Sequence, residues 1–255
     1  MLWVLPWGCE MKTSLKFWIL FALLPMTLSC GSGNFFECSG GHAGSKCSKL
    51  TKDEEARRAL DNGDLDTAVT LLSELVAEEP SNYQRYPLLA AAYAGKSGFD
   101  IFNVVTANFG SSSTLLQTMS DFLPTPTSLG GLYTQSLSDM NSSITTLSAI
   151  PEDLRATTSS DKYATSAVLQ LTLYQAAYGV MVLNKFTYGV SGYDPAMLST
   201  MTAEDAAIIL NAFIGAATTA SGGTSTSVSD AISAIQSQPG ATDAEKIAAW
   251  SQAAR

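Results

Sequence analysis

The sequence predicts an all-α protein, and three observations carry that prediction. Apolar residues recur at helical spacing, as in Ala68, Leu71, Leu72 and Leu75, and again in Leu137, Met140, Ile144 and Leu147. Two stretches, Thr51-Lys52-Asp53-Glu54 and Thr242-Asp243-Ala244-Glu245, have the form of a capping box, in which hydroxyl and carboxylate satisfy free amides at a helix start. No segment sustains the period-two alternation of a half-buried strand. With 46% hydrophobic and only 15% charged residues over 255 positions, the chain can bury a sizeable core. About nine to eleven helices are expected, with ends uncertain by a few residues.

In chain order, Met11–Cys30 (MKTSLKFWILFALLPMTLSC) has a basic start at Lys12 and Lys16, then an apolar run, Phe17–Leu24, then small polar residues. That is the design of a secretory signal, too short for a comfortable membrane span. The preceding MLWVLPWGCE does not fit it, so Met11 is the expected start and 1–29 the expected signal. Cys30, preceded by Thr27-Leu28-Ser29 and followed by Gly31-Ser32-Gly33, resembles the lipobox of bacterial lipoproteins, although Leu28 stands where a small residue is usual. The resemblance implies that Cys30 is lipidated and becomes the mature N-terminus. Several acyl chains together would then hold the protein on a membrane. Gly31 in place of Asp carries no inner-membrane retention mark, so the expected site is the bacterial cell envelope. The outer membrane is expected there, facing the periplasm or the surface.

Processing would leave 12 basic against 22 acidic residues, a net charge of −10. An acidic body poor in Lys and Arg is not built for a phosphate backbone, so no nucleic acid is expected. Residues 30–50 read as a lipidated Gly/Ser-rich tether. Cys38 and Cys47 fall within it and are most simply a disulfide in an exported protein. A Cys-Cys-His site using His42 lacks a fourth ligand.

The all-α domain is expected over 51–255. Ala56, Ala59 and Leu60 share a face, followed by a turn at Asn62-Gly63-Asp64. A helix over Leu65–Glu78 ends at Pro80-Ser81-Asn82, and the next carries Tyr86, Leu89, Ala90 and Tyr93. This stretch resembles tetratricopeptide repeats, 34-residue helix-turn-helix units. Gly63 falls in the turn, Ala68 at the small crossing position and Pro80 at the closing position. Tyr86, Leu89, Ala90 and Tyr93 then begin the next unit in register. The first unit departs from the pattern at Glu55 and Ala59, as a capping helix would. The resemblance covers roughly 51–108, with 99–109 closing the second unit. It implies a helical stack continued into a larger bundle.

Further along, residues 115–122 read as a short helix before Pro124 and Pro126. Leu132–Ile150 is amphipathic, and Pro151 suits a first helical turn. Tyr163–Asn184 is apolar nearly all round; Gln170, Thr172 and Gln175 in its middle mark it as a buried core helix rather than a span. Residues 186–200 read as an ordered aromatic loop. Thr202–Thr219 is helical with Ile208, Ile209, Ala212, Phe213 and Ala216 inward. A linker over 221–229 precedes helices near 228–236 and 242–254.

The catalytic motifs are incomplete. Gly95-Lys96-Ser97 lacks the earlier glycine of a phosphate-binding loop and reads as an inter-helix turn. Asp61, Asp64 and Asp66 lack the glycine and Glu placement of a calcium loop and suit a helix start. Glu74, Glu78 and Glu79 read as a solvated face. Ser191 has no G-x-S-x-G spacing, and the single histidine, His42, sits in the tether. No catalytic residue, metal or cofactor is therefore expected. Tyr174, Tyr178, Phe186, Tyr188 and Tyr193 could line an apolar pocket or be ordinary core aromatics. Two roles follow. One is a helical protein-interaction scaffold with a protein partner. The other is a transport-accessory lipoprotein for a small apolar ligand, a plan similar to the T component of tripartite solute transporters.

Overall fold

The computed structural model describes residues 45–100, 119–120, 122–155, 162–189, 191–219 and 224–254, with backbone alone at 45–50, 162–165 and 224–227. Chain contacts divide the protein into Met1–Ser48 and Lys49–Arg255. Of the first unit only the opening turn of a helix is described, so the account below concerns the second. The expected signal, Cys30 and Cys38 lie outside the described residues. Cys47 lies on the first helix, where only backbone is described, so the proposed disulfide is not addressed.

The fold is all-α. The described residues are 79% helical, in ten α-helices packed on one another, with one two-stranded sheet. The first helix, α1, spans Ser45–Asp61. It therefore begins six residues inside the expected tether, and Thr51 is helical interior rather than a helix start. The physical reason is that SKCSKL contains no Gly or Pro, so nothing stops the helix propagating back past Thr51. The turn that follows uses Gly63 at φ +75°, a left-handed conformation that glycine adopts without cost. Asp64 then caps α2 (Leu65–Glu78), its side chain accepting from the Thr67 amide.

Tyr83–Arg85 makes a single 3-10 turn before α3 (Tyr86–Lys96), whose Pro87 sits in the first turn, where no amide is missed. Gly95 and Lys96 close α3 and Ser97 caps it, so the expected inter-helix turn starts at the cap. α3 is buried on two sides. Leu89 and Ala92 join Ala56, Ala59, Ala68, Leu72 and Leu75 in a small cluster with α1 and α2. Tyr86, Ala90 and Ala94 join the main core. An alanine-rich helix suits such a junction, because small side chains let helices approach from both sides.

The main bundle follows. α4 (Pro126–Leu129) starts at a capping box between Thr125 and Ser128, and a 3-10 turn, Gly130–Leu132, leads into α5 (Tyr133–Ser148). α6 (Glu152–Arg155) is a single turn begun after Pro151. α7 (Lys162–Asn184) is the central helix, packed mainly on α5 and α8 (Ala203–Thr219). It is long and apolar enough to cross a membrane by length and composition, yet it is mostly buried within the protein. Its Leu171, Tyr174, Ala177, Val180, Met181 and Leu183 are almost wholly inaccessible. α9 (Thr224–Gln236) and α10 (Asp243–Ala253) close the bundle against α8. α9 thus occupies most of the expected linker, which had been drawn over 221–229. Phe99 is buried in the main core, whereas 101–118, most of the segment expected to close a second repeat, lies outside the described residues.

One expected inward residue turns out. α8 buries Ala206, Ile209, Phe213 and Ala216, while Ile208 is exposed and Ala212 only half-buried. Five consecutive apolar or small residues leave the inward arc undefined in the sequence; packing on α7 centres it one residue further round. Gly179 of α7 is where the Phe213 ring seats, since a Cβ there would meet Phe213 Cε1 at 2.9 Å.

Candidate functional site

The two regions the sequence singles out, the repeat-like segment and the aromatic set, occupy different parts of the fold. The residues that the sequence assigns to a repeat register lie between the end of α1 and the body of α3. Gly63 makes the turn, Ala68 and Ala90 are fully buried, Leu89 and Tyr86 are buried, Pro80 is exposed after α2, and Tyr93 is half-buried against the small cluster. The Tyr86 hydroxyl donates to the Pro80 carbonyl at 2.8 Å, which ties the closing position of one unit to the opening of the next. Burial, with Tyr83 adjacent, pushes the Tyr86 phenol above its usual range.

The residue that organises this segment is Arg85, which sequence reasoning did not single out. It is only 8% exposed. Its Nη1 donates to the Leu75 carbonyl and to Glu79 Oε2, both at 3.0 Å, and its Nε donates to Asp53 Oδ1 at 3.3 Å. One guanidinium thus joins α1, the C-terminal end of α2 and the turn before α3. A planar fork with several fixed donors suits that task, as an ammonium would not. The available signal is a lone arginine just before an apolar helix, seven and six residues after Glu78 and Glu79.

The acidic residues divide in the same way. Lys52 bridges Glu74 and Glu78 at 2.8 and 2.9 Å, and these contacts push its ammonium above the usual range. Lys96 pairs with Asp66 at 2.5 Å and is raised likewise. Glu74, Glu78 and Glu79 are therefore partners in ion pairs rather than a merely solvated face. Among the described residues no group of three or more His, Cys, Asp or Glu is placed to hold a metal.

The aromatic set is split in two. Tyr174 lies in the core, edge-on to Phe99 with centroids 5.8 Å apart, and Phe186 is buried nearby in the same cluster. Tyr178 is half-buried against that core. Burial raises the phenols of Tyr174 and Tyr178, so both stay neutral donors and acceptors. Tyr188 and Tyr193 lie instead on a minimal hairpin, β1 (Tyr188–Gly189) and β2 (Gly192–Tyr193), in the segment expected as loop. They pair across it, edge to face at 6.0 Å. Tyr193 is 41% exposed.

The hairpin is held from two sides. Thr127 Oγ1 donates to the Gly189 carbonyl at 2.6 Å, and a 3-10 helix, Pro195–Thr200, packs behind it. Beneath, the Tyr133 hydroxyl donates to the Met181 carbonyl at 2.6 Å; burial pushes its phenol well above the usual range. Lys185 lies over the Phe186 ring at 5.0 Å and 3.6 Å from Asp205. Burial pushes the Asp205 carboxyl up, but hydrogen bonds from the Thr202 hydroxyl and amide, with Lys185 beside it, outweigh that and hold it below the usual range. Ser191, beside the hairpin turn, is exposed. These contacts hold phenols and hydroxyls in fixed places, and Thr202 and Asp205 exchange bonds at the start of α8, hydroxyl to carboxylate and amide to hydroxyl.

The exposed large apolar residues are Leu132 (69%), Leu154, Leu169, Tyr193, Ile208 and Ile214. No family model, no curated protein and no solved structure matches this chain. What the fold defines is a class of architecture, an all-α bundle preceded by three helices, α1 to α3, that share a small cluster of their own.

Proposed function

We propose that this protein is a non-enzymatic helical scaffold for protein interaction, anchored in the bacterial cell envelope through acyl chains on Cys30. The observation that carries the reading is the α1–α2–α3 stack. The three helices share one small cluster, and the turn at Gly63, the buried Ala68 and the Tyr86–Pro80 hydrogen bond support the tetratricopeptide-like reading. The outer face of α1 is charged, with Arg57–Asp53 and Arg58–Glu54 pairs one turn apart. A polar outer face is what ends a repeat stack and keeps it soluble. The packing of Tyr174 on Phe99 favours this role over a passage for a small apolar ligand, because that aromatic surface is already spent on the core.

The test is affinity capture of the full chain from detergent-solubilised envelope, with the mass of the mature N-terminus measured in the same preparation. A stoichiometric protein partner and an acylated Cys30 are expected. Absence of any stoichiometric partner counts against the scaffold, and an unmodified Cys30 counts against the anchor.

A further inference from the structure

We propose that α1 is a releasable strap, held over the α2–α3 pair mainly by ion pairs, so that ionic strength controls whether it stays docked. The apolar payload of α1 in this contact is small. Among its described side chains, those of 51–61, the buried apolar ones are Ala56 and Ala59, with Leu60 partly so. By contrast, α2 and α3 bring Leu72, Leu75 and Leu89 to the same cluster. Hydrophobic stabilisation scales with the apolar area removed from water, and alanine offers little of it.

What α1 lacks in apolar area it makes up in charge. Lys52 reaches Glu74 and Glu78 on α2, and Asp53 reaches Arg85. Lys52, Glu74 and Glu78 keep about a third to a half of their side-chain surface in water, so salt screens their pairing. The internal Arg57–Asp53 and Arg58–Glu54 pairs support α1 as a helix but do nothing to dock it.

The main bundle is held differently. α7 and α8 meet through Phe213, Val180, Met181, Ile209 and other fully buried side chains, which salt does not weaken. α1 should therefore open on its own, as a local unit of low stability, while the bundle stays closed. Its release uncovers Ala68, Leu72 and Leu75 on α2.

Hydrogen exchange of the full chain, read by mass spectrometry from about 0.05 M to about 0.5 M NaCl, tests this; the screening length falls there from about 14 Å to about 4 Å. Amides of 51–61 are expected to exchange faster than those of α7 and α8, and to speed up a further two- to five-fold with salt, about what weak surface pairs supply. Lys52→Ala, a change at a half-buried side chain outside both cores, should raise α1 exchange by a similar factor at low salt and remove most of the salt response. Protection of 51–61 equal to that of α7 overturns the proposal. So does an exchange rate indifferent to salt and to Lys52→Ala, or a loosening shared evenly by the whole bundle.

Discussion

Single residues hold this protein together at places where helices end. Arg85 spans three segments, and Tyr133 reaches from the start of α5 to a carbonyl near the end of α7. The Met181 carbonyl also accepts from the Lys185 amide at 3.3 Å, so the Tyr133 hydroxyl strengthens the site where α7 turns into the hairpin segment. Tyr133→Phe keeps the ring packing and removes only that donor, and should cost about 1 kcal/mol in denaturant unfolding. The same phenol gives an alkaline signature. Its folded-state value lies above the ordinary 10, so the stability it contributes is intact below pH 10 and is lost as pH rises through the folded value. Tyr133 and Tyr174 should therefore ionise only as the protein unfolds, seen as a phenolate absorbance step that coincides with loss of helical circular dichroism. A phenolate step for all nine tyrosines near pH 10 with the helices intact contradicts this.

At the scale of elements, α7 and α8 pack closely, and glycines on both helices, Gly179 and Gly215, make room for the approach. Gly179 leaves the hollow that Phe213 fills, and Phe213 in turn packs edge-on to Trp250 of α10 at 6.0 Å. Replacing Gly179 by Leu forces the ring out of a fully buried place, at a cost of about 3 kcal/mol. Phe213→Ala, which leaves a cavity instead, should cost about 3–5 kcal/mol. Thermal unfolding of the two variants distinguishes overpacking from void, because the double variant should recover part of the loss. α1 stands at the other extreme, with two buried alanines and its charges doing the docking.

At the scale of the whole molecule, two cores meet at α3, and Val76 packs against both. The acidic balance of the chain, −9 in all, makes acid stability a global property. Asp205 is the carboxylate to follow. Its folded value lies below the ordinary one, so its contribution is complete above the ordinary carboxylate range near pH 4 and is lost as pH falls through the folded value. Asp205→Asn should lower stability at neutral pH and flatten the loss below about pH 4, measured as the unfolding midpoint against pH. An unchanged acid limb in the variant would place the acid sensitivity elsewhere.

Much of the fold was legible before any coordinates. Periodicity found α2, α5, α7 and α8, the second capping box found α10, where Thr242 and Glu245 exchange bonds with the backbone, and Gly63 marked its turn. These signals are local, written within one or two helical turns. The start of α1 was misplaced because a capping box is equally compatible with helix interior when nothing upstream breaks the helix. Ile208 was misplaced because a run of apolar residues defines no single face. The five aromatics are not sorted by local pattern: Tyr174 and Phe186 lie in the core, where Phe99 meets Tyr174, while Tyr188 and Tyr193 lie on a hairpin that Thr127 holds, and both partners come from distant parts of the chain. The sequence by itself determined the acidic character, which is composition alone, and the helical class, which rests on patterns within a few residues. Only the tertiary structure decided that Arg85 is buried at the meeting of three segments and that α3 is shared by two cores. Both depend on pairings 10 to 39 residues apart, such as Arg85 with Leu75 and Asp53 and the Ser136 hydroxyl with the Ser97 carbonyl at the end of α3, which no local pattern encodes.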